Sequence, residues 1–392
     1  MDRTDDITLP SDTSWLIDPN AQAICRVITG AGYQALFVGG CVRNALLGHA
    51  DSDVDISTDA VPDVVIDLAQ AAGHKALPTG IDHGTVTVIV GGTPFEITTF
   101  RRDVAPDGRR AVVAFSKDIA EDAVRRDFTM NALYATPEGR LIDPLGGLPD
   151  LIARRIRFIE DPNARIQEDY LRILRFFRFF AWFGDTEAGF DTDALNAIAQ
   201  FSGGLETLSA ERVGQEMRKL LAAPDPAFAL AGMRSTGVLQ ALLPGADDKW
   251  IGMIAHMEAT LDLAPDWLRR LAVLGGLEVA ERLRLSKAET RSYVLAQDVG
   301  YGATPLAEVA YRHGSNMAQT ALLFRAAMAE QPPDAKQLAP LRKAEDAEFP
   351  VKAVDLIEQF KGPALGAKLA ELEQLWIDSR FTLKKNELLN HG

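Results

Sequence analysis

Residues 36–43 read Leu-Phe-Val-Gly-Gly-Cys-Val-Arg, and residues 53–57 read Asp-Val-Asp-Ile-Ser. The apolar run at 34–38 predicts a short buried strand. Two glycines end this strand, and residues 42–47 then predict a helix that finishes near Gly48. The alternation of polar and apolar residues over 53–57 predicts a second, half-buried strand. This order of elements indicates an α/β domain near the start of the chain.

Further β-type runs occur only before about residue 160. The other elements predicted there are a helix at 62–72, strands at 85–90 and 95–100 joined as a hairpin by the turn at 91–94, a polar loop at 103–110 and a strand at 111–115. Beyond residue 160 the pattern predicts helices separated by glycine and proline breaks. The sequence therefore predicts an α/β head followed by an all-α arm.

Composition limits the class of protein. The 392 residues exceed one ordinary core, so about two to four domains are expected. No apolar run approaches the roughly 18 residues that span a bilayer, so no membrane partner is expected. The two cysteines, Cys25 and Cys41, suit a reducing cytoplasm. The scattered histidines argue against a zinc site.

The net charge of −14 argues against nucleic-acid binding by the chain as a whole. The charge is uneven, however, because residues 151–180 hold seven arginines against four acidic residues. A basic stretch of this kind is often a solvated helix face. It also provides a local groove that could bind RNA.

Acidic residues mark a candidate metal site. Asp53 and Asp55 are two apart, so they project to the same side of a strand. Two adjacent carboxylates repel each other unless a cation joins them, and Mg²⁺ prefers such oxygen ligands. A third acid, Glu96, stands at the start of another predicted strand. An Asp-x-Asp pattern alone is common in solvated loops, so its neighbours decide its meaning.

The glycine turn supplies that context. Gly39 and Gly40 let the backbone approach a phosphate at the start of a helix. Arg43 follows in the first turn, where its planar guanidinium can reach the same phosphate. A phosphate cradle beside paired acids predicts a nucleoside triphosphate and a metal ion.

These motifs resemble the polymerase-β-type nucleotidyltransferases, and more narrowly the class II tRNA nucleotidyltransferases (CCA-adding enzymes) and bacterial poly(A) polymerases. The resemblance extends through four later motifs in the family's order. They are residues 96–101 (Glu-Ile-Thr-Thr-Phe-Arg), 125–133 (Arg-Arg-Asp-Phe-Thr-Met-Asn-Ala-Leu), 168–179 (Glu-Asp-Tyr-Leu-Arg-Ile-Leu-Arg-Phe-Phe-Arg-Phe) and a helix that starts at 209–212. One departure is Asn44, where the family usually has Asp, which puts in doubt an ion pair with Arg43.

The resemblance implies an α+β fold with a mixed-sheet head followed by an all-α neck, body and tail. The implied domains are the head at 1–150 with an N-terminal extension, the nucleotide-selecting neck at 151–222, the body at 223–330 and the RNA-binding tail at 331–392. It also implies Mg²⁺ as cofactor, held by Asp53 and Asp55. Glu96 would assist on the nucleophile side. The implied nucleotide-binding residues are Gly39, Gly40, Arg43, Arg125, Arg126, Asp127, Asn131, Asp169, Arg172, Arg175 and Arg178.

The choice of nucleotide can be argued from Asp169 and Arg172. If both lie on one helix, their i, i+3 spacing puts them on a shared face. A carboxylate can accept from the exocyclic amine of cytosine or adenine, and a guanidinium can donate to the adjacent ring nitrogen. Uracil and guanine reverse this pattern and would leave charged groups unpaired. Arg175 and Arg178, further along, would hold phosphate or orient Asp169.

The sequence therefore predicts addition of C, C and A to the 3′ end of tRNA from CTP and ATP. The pattern at 78–86 resembles the tRNA enzymes, and no basic extension follows Trp376, as poly(A) polymerases tend to have. The loop at 101–117 argues against a CC-only enzyme. Poly(A) synthesis and A-only addition remain alternatives, and a non-catalytic nucleotide- or RNA-binding module is a distant one. The oligomeric state stays open.

Overall fold

The computed structural model describes residues 7–49, 53–107 and 110–391, with the side chains of 103–113 left out. The chain divides into two compact units between Gly204 and Leu205. All nine strands of the described ranges lie in the first unit, and the second is helical. The predicted α+β class is confirmed. The finer division into head, neck, body and tail stays a prediction.

A mixed sheet of seven strands organises the first unit. Its strands are β1 (Ala35–Val38), β2 (Asp55–Thr58), β3 (Lys75–Gly80), β4 (Thr85–Val90), β5 (Thr93–Thr99), β8 (Tyr134–Ala135) and β9 (Leu141–Ile142), and a separate pair is formed by β6 (Arg101–Asp107) and β7 (Arg110–Phe115). The order across the sheet is β3-β4-β5-β2-β1-β8-β9. Strands β2 and β5 pair in parallel, and the other pairs of the sheet are antiparallel. The central parallel pair therefore brings together segments that are far apart in sequence.

Helices flank these strands and fill the second unit. In the first unit they are α1 (Pro19–Gly30), α2 (Gly40–Leu46), α3 (Pro62–Ala71), α4 (Ile119–Val124), α5 (Leu148–Ile152), α6 (Pro162–Glu168), α7 (Leu171–Phe183) and α8 (Thr192–Phe201). The second unit holds α9 (Ala210–Leu221), α10 (Ala227–Ser235), α11 (Val238–Leu242), α12 (Ile251–Thr260), α13 (Trp267–Leu274), α14 (Val279–Arg282), α15 (Lys287–Tyr301), α16 (Leu306–His313), α17 (Ser315–Met328), α18 (Leu338–Glu345), α19 (Pro363–Asp378) and α20 (Lys385–Leu389). Within the described ranges, no helix combines the length and the apolar character that crossing a membrane requires.

The predicted elements of the head are mostly confirmed. Strand β1, helices α2 and α3, and the β4–β5 hairpin lie where the sequence patterns put them. The hairpin turns at Gly91 and Gly92, both of which have positive φ, as a tight turn between antiparallel strands requires. The polar loop predicted at 103–110 is wrong over 103–107 and at 110, because β6 continues to Asp107 and β7, its antiparallel partner, begins at Arg110. Residues 108 and 109 lie outside the described residues.

Aromatic packing fixes helix α7 on the head. Phe176 and Phe177 are fully buried, and the Phe176 ring stacks on that of Phe158 with centroids 5.7 Å apart. Phe128, in the stretch after α4, packs edge-on against Phe179 at 5.2 Å. Aromatic pairs with these geometries stabilise beyond the area they bury. Phe176, Phe177 and Phe179 are therefore core residues, and they place the arginines of the same helix against the head.

A buried ion triad holds the second unit together. Glu258 on α12 accepts hydrogen bonds from Arg269 Nη1 at 2.7 Å and from Arg270 Nε at 2.8 Å on α13. All three side chains are at most 2% exposed. Arg270 also donates to the carbonyl oxygen of Leu221 at 2.7 Å, where α9 ends. The triad therefore joins three helices through charged groups with no access to water.

Replacing Glu258 by alanine should lower the free energy of unfolding by about 3–5 kcal/mol, because two buried guanidinium groups lose their counter-charge. Urea denaturation followed by circular dichroism measures this change. The control is Glu371→Ala, which breaks the ion pair of an exposed carboxylate with Lys368 and should cost about 1 kcal/mol or less. Equal losses in the two variants would contradict the prediction.

Candidate active site

Two carboxylates meet at the central parallel pair of strands. Asp55 is the first residue of β2, and its register partner on β5 is Glu96. Register partners on parallel strands project to the same face of a sheet, so the two side chains are neighbours. Asp53 lies two residues earlier, outside β2, because the strand begins at Asp55 and not at 53 as the sequence predicted. The structure thus brings all three predicted acids to one place.

Burial and the neighbouring acids together disfavour the ionised form of Asp55. Its burial raises the pKa to about 6, and Glu96 and Asp53 add to the rise, whereas Arg126 opposes it. A bound cation would relieve this cost by stabilising the ionised carboxylates. Within the described ranges, no three His, Cys, Asp or Glu side chains are arranged to hold a metal ion. Carboxylate oxygens nevertheless suit Mg²⁺, which usually takes one or two from the protein and others from substrate phosphates.

The glycine turn lies at the end of β1. The Gly39 N–H donates to the Leu133 carbonyl oxygen at 3.0 Å, and its φ of 71° is a conformation that favours glycine. A Cβ atom at Gly39 would lie 3.4 Å from Nη1 of Arg126. The turn therefore faces a guanidinium group, and α2 begins at the next residue, Gly40.

Arg126 and Arg125 share one buried carboxylate. Asp122 on α4 accepts from Arg125 Nε at 2.7 Å and from Arg126 Nη2 at 3.1 Å. The Tyr134 hydroxyl donates to the same carboxylate at 2.7 Å and accepts from Arg126 Nε at 3.0 Å. Burial opposes ionisation of Asp122, but its arginine partners hold its pKa below the usual range.

Arg43 is enclosed by aromatic rings. Its guanidinium carbon lies 4.1 Å from the ring centroid of Phe183 and 5.1 Å from that of Phe179, both on α7. Asn44 Oδ1 accepts from Nε at 3.1 Å and from Nη2 at 2.9 Å, and Asn131 Oδ1 accepts from Nη1 at 2.5 Å. Burial lowers the pKa of Arg43 to about 10. Asn44 therefore holds Arg43 by hydrogen bonds where the family usually has a charged partner.

A polar chain continues from Arg43 to α7. Asn131 Nδ2 donates to Asp127 at 3.0 Å, and Arg175 Nε donates to the other oxygen of Asp127 at 2.7 Å. Burial of Asp127 opposes ionisation, but Arg175 and the Asn131 hydrogen bond bring its pKa down to about 2. The chain Arg43–Asn131–Asp127–Arg175 thus links the glycine turn to α7. Arg175 thus pairs with Asp127, and its predicted role in holding phosphate or orienting Asp169 stays a prediction.

The expected shared helix face of Asp169 and Arg172 is wrong. Helix α6 ends at Glu168 and α7 begins at Leu171, and Asp169 has the extended backbone of a break. Its carboxylate accepts from the Leu171 N–H at 3.1 Å, as a residue that precedes a helix often does. Arg172 on α7 pairs with Glu168 at 2.5 Å. Further along the helix, the guanidinium carbon of Arg178 lies 4.5 Å from the Phe179 ring centroid.

Sequence reasoning missed Asp122, Tyr134 and Ser57. Ser57 is fully buried on β2, two residues after Asp55, and its hydroxyl accepts from Arg126 Nη2 at 3.4 Å. Asp122 is a charged residue that occupies the buried side of a short helix. A carboxylate shortly before two arginines was the available signal, because a buried acid needs a partner. Tyr134 gave no signal, since a tyrosine in a strand is ordinary.

Comparison with known proteins adds family evidence. A family model described as the poly A polymerase head domain matches residues 35–157, and one described as a probable RNA and SrmB-binding site of polymerase A matches residues 189–249. A zebrafish (Danio rerio) protein named CCA tRNA nucleotidyltransferase 1, mitochondrial, is 31% identical over 91% of this chain and 86% of its own length. The chain belongs to the family of CCA-adding tRNA nucleotidyltransferases and poly(A) polymerases. The family resemblance inferred from the motifs is confirmed.

Two further family members agree with this assignment. The CCA-adding enzyme of Geobacillus thermodenitrificans is 40% identical over 64% of this chain, and the alignment covers 57% of that enzyme. The crystal structure of the Bacillus stearothermophilus CCA-adding enzyme in complex with CTP has a TM-score of 0.76 and 29% identity, covering 93% of this chain and 94% of that one. The chain is thus a nucleotidyltransferase of this family, and the family implies dependence on a divalent metal ion.

Proposed function

We propose that this protein adds C, C and A to the 3′ end of tRNA, using CTP and ATP and releasing pyrophosphate. The pairing of Asp55 with Glu96 beside Arg126 carries the proposal. In this arrangement, acids able to hold a divalent ion lie next to the guanidinium group of Arg126, which faces the glycine turn. The named CCA-adding relatives support the choice of product.

The acids would hold Mg²⁺, through Asp53 and Asp55, with Glu96 beside them. When bound, Mg²⁺ supplies positive charge that makes the RNA 3′-hydroxyl more acidic and stabilises the leaving pyrophosphate. The requirement for Mg²⁺ in particular is part of the proposal.

The arginines would bind the triphosphate. Arg126 faces Gly39, and Arg125 shares its carboxylate partner, so both are held in place before substrate arrives. Arg43 is fixed by its aromatic enclosure in the first turn after Gly40. Such preorganised cations stabilise developing charge without having to rearrange during the reaction. Asp127 and Asn131 would meet the ribose, since they lie between Arg43 and α7.

Asp169 and Arg172 would read the base. Asp169 lies in the break before α7, where an extended backbone can present a carboxylate to a ligand. Arg172 would have to exchange its contact with Glu168 for the base. The two residues then select cytosine and adenine by the donor–acceptor argument given above, from two different backbone segments. Arg175 and Arg178 would support the phosphate side.

A tRNA that ends at its discriminator base, incubated with single and mixed nucleotides, tests the product. We expect two C from CTP alone, one further A when ATP is added, and then arrest. A long ladder of A would favour poly(A) synthesis, and a single A on a tRNA that already ends in CC, with no use of CTP, would favour A-only addition. Absence of any extension, with nucleotide binding retained, would favour the binding module.

The two buried free thiols of Cys25 and Cys41 support a cytoplasmic location.

A further inference from the structure

Asp122 and Tyr134 form a buried support beneath Arg126. Both side chains are fully buried, and neither belongs to the motif residues to which the resemblance gives a role. Tyr134 lies on β8 directly beside Val38, the last residue of β1 before the glycine turn. The aromatic ring packs in a core cluster with residues such as Leu36 and Ala132. Packing alone would be satisfied by phenylalanine, so the hydroxyl group needs a separate explanation.

The hydroxyl completes a closed set of hydrogen bonds around Arg126. Tyr134 accepts from Nε, Asp122 accepts from Nη2, and the tyrosine donates to Asp122. Because a guanidinium group is planar, fixing two of its nitrogens fixes the direction of the third. The third nitrogen, Nη1, faces Gly39.

This direction places Arg126 between two parts of the site. Its Nη2 also lies 3.4 Å from the hydroxyl of Ser57, which shares a strand face with Asp55. The Arg126 guanidinium therefore lies between the glycine turn and the acids. That is where the phosphates of a nucleotide would lie if the acids hold the metal.

We propose that Asp122 and Tyr134 are positioning residues, which aim Arg126 at the triphosphate of either substrate nucleotide. The proposal rests on the proposed function, because it takes the glycine turn as the phosphate site. A phosphate contact does not depend on the base, so the two residues contribute equally to CTP and ATP. They differ in this respect from Asp169 and Arg172, which would distinguish bases.

Tyr134→Phe tests the proposal, since it removes one hydroxyl group and keeps the buried ring. We expect the KM for CTP and the KM for ATP to rise by the same factor, about 10-fold or more, because the hydroxyl loses its hydrogen bonds with Arg126 and Asp122, both charged. The Kd for tripolyphosphate in the presence of Mg²⁺, measured by calorimetry, should rise by a similar factor. The matched control is Tyr33→Phe, a half-buried tyrosine of the same unit, which should leave both quantities unchanged.

A double-variant comparison shows whether the tyrosine acts through Arg126. In an Arg126→Lys background, Tyr134→Phe should have little further effect on tripolyphosphate binding, because the guanidinium group that the tyrosine orients is already absent. Asp122→Asn, which keeps the size of the side chain, should weaken tripolyphosphate binding more than Tyr134→Phe. A merely structural tyrosine would lower the melting temperature with unchanged Kd, or would add its full effect to that of Arg126→Lys. Either result overturns the proposal. Because calorimetry needs no tRNA, it decides this point even if the protein does not add CCA.

Discussion

Replacement of Asp55 by asparagine should abolish nucleotide incorporation while leaving the fold intact. The acid shares its register position with Glu96, and burial together with the charges of Glu96 and Asp53 raises its pKa. Loss of this ligand removes stabilisation worth several kcal/mol from the transition state, so we expect the rate to fall by about 1000-fold or more. Extension of a tRNA lacking its 3′ end with labelled CTP measures the rate.

The same variant should unfold at the same temperature as the wild type or at a higher one, when no metal is present. A neutral amide relieves the repulsion from Glu96 and Asp53, and it also costs less to desolvate than a carboxylate. Asp67→Asn, on the exposed face of α3, is the matched control and should keep full activity. Normal turnover by Asp55→Asn would remove the basis for the metal assignment. A large drop in melting temperature would instead show that Asp55 has a structural role.

Replacement of Arg172 by methionine should weaken both nucleotide use and base choice. Methionine keeps an unbranched apolar stem but cannot donate to a ring nitrogen. Each unmade hydrogen bond in a site of this kind costs about 1–3 kcal/mol, so incorporation of CTP and ATP should fall by about 10- to 100-fold. Incorporation of UTP and GTP should fall much less, because the wild type rejects these bases already. The ratio of kcat/KM values for CTP and UTP therefore decreases.

Arg26→Met, an exposed arginine on α1, controls for the loss of one positive charge. It should change neither the rates nor their ratio. Equal losses with all four nucleotides in Arg172→Met would place the residue at the phosphates or the tRNA, and would remove it from base recognition. Because Arg172 pairs with Glu168 in this structure, a second variant is informative. Glu168→Gln removes the charge of this partner while Arg172 keeps its hydrogen bond to the Arg165 carbonyl oxygen, and it should not reproduce the loss of base choice.

Local sequence patterns predicted the elements of the head well. Apolar runs and glycine pairs identify β1, the turn at Gly39 and the β4–β5 hairpin, because each of these depends on residues close together in the chain. The position of Glu96 beside Asp55 is different. It depends on parallel pairing between β2 and β5, and no local pattern encodes that register. The motif resemblance put Glu96 with the other acids, and the pairing explains why.

The error at Asp169 has a comparable cause. Residues 168–172 contain neither glycine nor proline, so propensity predicts one continuous helix. Tertiary contacts override this preference, because Arg165 donates to the Arg126 carbonyl oxygen and Arg172 to that of Arg165. The hydrogen bonds of Asp122 and Tyr134 could not be predicted from the sequence either, since they join residues whose sequence context suggests only a helix and a strand.

The parallel pairing of β2 with β5 also bears on how the head folds. The β4–β5 hairpin closes a tight turn, whereas α3, β3 and β4 separate β2 from β5 along the chain. Contacts of such long sequence separation form slowly, because the chain entropy of closing the loop is lost before the pairing contributes. We therefore expect the carboxylates of Asp55 and Glu96 to become neighbours late in folding. Binding of a divalent ion during refolding would then report completion of the sheet, separately from the formation of helices or of the hairpin.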